Sequence, residues 1–155
     1  MLAYVRLRRH KDAATLIDKM LAYNPNDNQG SRYLLGSEVL RAGNKERAAN
    51  IFDEYADNYP PYYYELALLH ILNKDWDKAA TALRHGFSAN SYIAEILCGN
   101  FYPQPLAIWH GSNFAEPGMA TYQISALNLR RAIISGPSSV EHDPRPSLIA
   151  FSAFF

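Results

Sequence analysis

Five histidines, His10, His70, His85, His110 and His142, and one cysteine, Cys98, are the side chains whose chemistry could extend beyond packing. Metal binding on a helix needs two imidazoles about one turn apart, as in HxxxH or HExxH, because both must reach one ion. No two of these histidines have that spacing. Glu141-His142-Asp143 gathers three ligand types, but in a proline-flanked stretch with no distant cysteine cluster to complete a coordination sphere. A nucleophilic reading would use Cys98, with His110 twelve residues on and Ser112 beside it. No GxSxG elbow frames that serine, and a lone thiol needs a base that only the fold can bring to it, so Cys98 reads as a small buried hydrophobe. Gly99, Gly111 and Gly118 lack the GxxxxGK spacing that cradles phosphate. The expectation is a non-catalytic protein without metal or cofactor. The minor alternative is an enzyme or metal protein using Cys98, His110 or His142.

Composition points the same way. Of 155 residues, 48% are hydrophobic, enough for a continuous core, and 15 basic residues balance 15 acidic ones, so no global field draws the chain to nucleic acid or an anionic membrane. Arg6, Arg8, Arg9 and Lys11 form the one basic cluster, read as a solvated helix end. A single cysteine rules out an internal disulfide and favours a reducing compartment, the cytoplasm. The first residues lack the apolar core of a secretory signal, and Ser147 to Phe155 is too short to span a bilayer.

The elements that must position any site come from an internal repeat. Leu40-Arg41-Ala42-Gly43-Asn44-Lys45-Glu46-Arg47-Ala48-Ala49-Asn50-Ile51-Phe52, closing at Tyr59-Pro60, reads as helix end, tight turn, second amphipathic helix and proline stop. The pattern recurs upstream from Arg9-His10-Lys11-Asp12-Ala13 to Asn24-Pro25, and downstream from Lys74-Asp75-Trp76-Asp77-Lys78-Ala79 to Asn90-Ser91. Ala13, Ala48 and Ala79 are the small residues of the second helix; Ile17, Phe52 and Leu83 follow one turn later. Gly36 and Ala67 are the small residues of the first helix, with Tyr4, Val39 and His70 at its large position. Small residues let two antiparallel backbones approach while large ones fill the gap to the next hairpin. The copies are 35 residues apart from Ala13 to Ala48 but 31 from Ala48 to Ala79, so the junction around Tyr59-Pro60-Pro61 must be tightened.

These positions resemble the tetratricopeptide repeat family over about Leu2 to Ser91, with Ser91 departing from the family's terminal proline. The resemblance implies an all-α, right-handed superhelix of antiparallel hairpins over residues 1–91, the first hairpin truncated at Met1 and leaving an N-terminal edge suited to self-association. Asn24-Pro25-Asn26-Asp27-Asn28-Gln29-Gly30-Ser31-Arg32-Tyr33 is similar to a segment of a bacterial group related to the suppressor-of-tumorigenicity-seven family. Within it, Asn26 or Asp27 is expected to cap the next helix through a side-chain oxygen, and Gly30 to let the hairpins sit close. Residues 92–134 are expected to form atypical C-terminal capping helices: Tyr92 to Cys98, a proline-spaced loop, and a helix from near Glu116-Pro117 carrying Met119, Tyr122, Ala126, Leu129 and Ile133 on one stripe. Residues 135–155 read as an irregular tail.

In this family the first helix of each hairpin lines the concave surface. Projected onto the chain, that surface carries Tyr33, Ser37 and Leu40, then Tyr64, Leu68 and Ile71, an aromatic and apolar groove for a protein or peptide partner. The lysines and asparagines with which one subtype holds a terminal carboxylate are absent from these places, which disfavours that activity. The dense tyrosines Tyr55, Tyr59, Tyr62, Tyr63 and Tyr64 suit either a binding surface or packing between hairpins. The implied function is a protein-interaction scaffold; the alternative is a structural piece of a larger helical-repeat assembly.

Overall fold

A computed structural model gives the fold and describes residues 1–98. Among these residues there are seven helices: α1 (Leu2–Arg6), α2 (His10–Tyr23), α3 (Arg32–Arg41), α4 (Lys45–Tyr55), α5 (Pro61–Leu72), α6 (Trp76–Ala89) and α7 (Ser91–Leu97). Each packs chiefly on its neighbours in chain order, from α1 on α2 through to α6 on α7. Contacts that close locally and propagate along the chain are the mark of a helical-repeat architecture. The helix expected from near Glu116 and the tail 135–155 lie outside the described residues.

The tight turns inside the hairpins share one backbone construction. At α1–α2, α3–α4 and α5–α6 a residue turns left-handed: Arg8 at φ 56°, Gly43 at φ 93° and Lys74 at φ 61°. The next N–H reaches back five residues, from Arg9 to Tyr4, from Asn44 to Val39 and from Asp75 to His70, at 2.9, 3.1 and 2.9 Å. That bond satisfies a carbonyl the helix end would leave orphaned. The residue that closes one helix then opens the next: Asn44 and Asp75 accept from the backbone N–H of Arg47 and Lys78, whereas Arg9 makes no side-chain cap.

The repeat positions fall where close approach requires. Ala13, Ala48, Ala67 and Ala79 have no exposed surface, and Ile17, Phe52 and Leu83 fill the interior beside them. At Gly36 the need for glycine is steric, since an added Cβ would stand 2.5 Å from Cε1 of Phe52. The shorter spacing between the second and third copies comes from a shorter second helix, 11 residues in α4 against 14 in α2, and a shorter connection, partly offset by the longer α5. Eight residues (24–31) join α2 to α3 but only five (56–60) join α4 to α5, where Pro60 caps the helix and Pro61 is its first residue. A proline at that place gives up an N–H that has no helical partner anyway.

The longer connection is built around Asp27. Its carboxylate accepts from the backbone N–H of Ser31 at 2.8 Å and of Arg32 at 2.9 Å, and from the Arg32 guanidinium at 3.1 Å. Burial alone would raise this carboxyl, but the two backbone bonds and Arg32 together hold it below its ordinary value. Of the two expected caps, Asp27 is the one that acts. Gly30 has a left-handed backbone, φ 66°, which glycine adopts without the steric cost a side chain would add.

Candidate functional site

The six residues expected to line a groove lie on α3 and α5, and how these two helices are joined decides their placement. Tyr62, in the first turn of α5, inserts its hydroxyl into α3, accepting from the Gly36 N–H at 3.1 Å and donating to the Arg32 carbonyl at 2.8 Å. Those two backbone groups would otherwise form one rung of the α3 ladder. Burial, then the charge of Glu65, raises the Tyr62 hydroxyl well above its ordinary value, so it stays a neutral donor. One turn further along, the Ser37 hydroxyl donates to Glu65 at 2.8 Å. Tyr33 on α3 stacks on Tyr59 at 4.8 Å between centroids, and Tyr59 meets Tyr62 edge-on at 5.0 Å.

The six residues expected to line a groove therefore divide. Tyr33, Leu40 and Ile71 are half-buried, packed against the core while keeping part of their surface outside. Ser37 and Leu68 are buried, and Tyr64 has no exposed surface at all. The Tyr64 ring lies against Gly86, where an added Cβ would stand 2.9 Å from Cε2, and its hydroxyl donates to the Asn90 carbonyl at 2.8 Å. Tyr64 thus ties α5 to the α6–α7 junction. Of the dense tyrosines, Tyr59, Tyr62 and Tyr64 are interior and Tyr55 and Tyr63 half-buried, so packing claims most of the run.

Beneath this face runs a polar spine. Glu38 is 1% exposed and accepts from Arg41 and from His10 Nδ1, the latter at 2.8 Å. Glu65 is 3% exposed, and its Oε2 has no hydrogen-bond partner. Burial pushes the Glu65 carboxyl up to about 7, against the opposing pull of the Ser37 hydroxyl and Arg41. A signal for these groups existed in the sequence: a lone glutamate interrupts each of the apolar runs Leu34 to Leu40 and Tyr64 to Leu69. A charge among core positions is costly unless paired.

Cys98 is half-buried, and burial followed by the nearby Glu95 raises its thiol, which works against the thiolate a nucleophile needs. His110, Ser112 and His142 lie outside the described residues. Among those described, no three His, Cys, Asp or Glu side chains are grouped to hold a metal ion, and no helix is long and apolar enough to cross a membrane.

A family model described as tetratricopeptide repeat matches residues 2–63 and, in a second overlapping placement, residues 33–85. The match is to the repeat itself and does not distinguish the bacterial subgroup suggested by Asn24 to Tyr33. No curated protein and no solved structure matches the chain.

Proposed function

The chain belongs to the tetratricopeptide repeat family, whose model covers residues 2–85, more than half of its length, and from that membership we propose that it is a non-catalytic scaffold holding a segment of a partner protein. Repeats of this kind generally mediate protein–protein interaction. The observation that supports a particular face is the half-buried stripe of Tyr33, Leu40 and Ile71, anchored on α3 and α5 by the Tyr62 and Ser37–Glu65 bonds. Ser37 joins α3 to α5 through Glu65, Tyr64 ties α5 to the α6–α7 junction, and these two and Leu68 are too buried to offer a partner much surface. Rigid, partly exposed aromatic and aliphatic groups lose little entropy on binding, which makes them good anchors.

The reading is tested by affinity capture and mass spectrometry with wild-type protein and a Leu40→Asp/Ile71→Asp variant, both checked by circular dichroism. A protein retained by the wild type and lost by the variant is expected. Identical captures would remove this face from consideration. A second reading, association with further repeats, is favoured by Leu2 and Leu7 near α1, which are 57% and 68% exposed. Light scattering of a Leu2→Lys/Leu7→Lys variant distinguishes it, since concentration-dependent association should vanish only if α1 is the contact.

A further inference from the structure

A second surface lies between α4 and α6, floored by α5. Two adjoining depressions of about 330 and 400 Å³ share Tyr63 and His85 and so form one trough. Its floor is apolar, made by buried Leu66 and Ala82 and by the Tyr63 ring, which packs against His85 at 5.5 Å between centroids. Asp77, Thr81, His85 and Ser88 follow one stripe of α6 and form one wall. Asp53, in the last turns of α4, and Asp57, just past its end, form the other. From Asp77 to Ala89 the trough runs about 18 Å at 1.5 Å per helical residue, the length of about three helical turns.

The whole chain is neutral, but this surface is not. Asp53, Asp57 and Asp77 are all exposed, and no salt bridge between described residues involves any of them. The one cation of the lining, Lys78, pairs with Asp75 at 3.2 Å. Asp57 accepts from the Tyr63 hydroxyl. Burial first, then that bond and the charges of Asp57 and Asp53, push the hydroxyl up to about 12. Asp77 in the first turn of α6 also complements that helix's dipole, which explains its charge but not those of Asp53 and Asp57.

We infer that the trough is a docking site for an amphipathic basic helix of a partner protein, with its apolar side on Tyr63, Leu66 and Ala82 and its lysines or arginines against Asp53, Asp57 and Asp77. Asp53 and Asp57 lie on one rim of the trough, and on such a helix side chains at i and i+4 share a face, so cations one turn apart can be presented to that rim together. An apolar floor with carboxylates of one sign on both rims supplies complementarity to a positive segment and rejects a negative one. This surface is separate from the α3–α5 face, so a scaffold with both would hold two segments.

The probe is a fluorescent peptide of about twelve residues, lysines at i and i+4 on one side and leucines on the other, with a glutamate-for-lysine counterpart as control. Anisotropy is expected to show binding of the lysine peptide alone, weakened about tenfold or more in Asp53→Asn/Asp57→Asn/Asp77→Asn and weakened by added salt. The His70 and His85 ring resonances should shift on binding. Equal binding of both peptides, binding unchanged in the triple variant, or no binding of either overturns the inference. So does a shift of the two histidines with zinc chloride but not with peptide, which would mark a metal site, or self-association lost in the triple variant, which would mark a second copy. If the triple variant melts early, Asp53→Asn alone carries the comparison, since Asp53 is exposed. Retained peptide binding by Leu40→Asp/Ile71→Asp keeps the outcome independent of the α3–α5 face.

Discussion

Two buried carboxylates respond to pH in opposite senses. Glu65 is raised by burial to about 7 from an ordinary 4.5. Below 4.5 it is neutral in both states; above that the unfolded chain ionises while the folded group keeps its proton, so stability falls as pH rises and levels off above about 7. Glu65→Gln is therefore expected to gain stability over wild type between about pH 5 and pH 8, on the order of 1–3 kcal/mol, read from urea midpoints at the two pH values. An unchanged difference would mean the carboxyl is already ionised or hydrated. Asp27 is held below its ordinary 3.8, so its contribution is full above that value and is lost as pH falls through the folded value. Asp27→Ala leaves the N–H groups of Ser31 and Arg32 unpaired and should cost about 2–3 kcal/mol at neutral pH. That Asn26 or Asp27 would cap was legible from their place before an apolar run, because the bond is local; the structure chose Asp27. The unpartnered Oε2 of Glu65 was not legible, because it depends on what α3 brings to α5.

At the scale of the element, the hairpin turns show where the sequence and its backbone disagree. Gly43 stands where a left-handed residue is needed, with open space about it, but Arg8 and Lys74 occupy the equivalent places in the other two turns. A side chain in that conformation costs about 1 kcal/mol, which packing of the hairpin must offset. Lys74 is exposed, so Lys74→Gly relieves the strain without opening a cavity and should raise stability by about 0.5–1 kcal/mol, measured by the urea midpoint. A loss would show that its side chain makes a contact worth more than the strain. The hairpins were readable because alanine, large apolar residue and turn recur together, each tied to one local geometry. Which tyrosines face inward was not, since a tyrosine satisfies a core and a surface equally well until a neighbour such as Gly86 receives its ring.

Across the described molecule, protection should follow burial rather than helix length. Eight residues of α5 are buried, including the polar Glu65, whereas α1 buries none. Hydrogen exchange is expected to be slowest in α5 and fastest in α1, with protection differing on the order of a hundredfold or more. Uniform protection would mean that all seven helices open as one unit. The sequence by itself determined the all-α repeat, its hairpin turns, the tightened junction and the lack of strong catalytic motifs, because these depend on residues near one another in the chain. Only the tertiary structure decided that Tyr64 is interior, that Glu38 and Glu65 lie beneath the α3–α5 face, and that three aspartates share one trough with His70 and His85. Those arrangements join residues on different helices, and the angle and distance at which helices meet are set by the packing of many side chains at once.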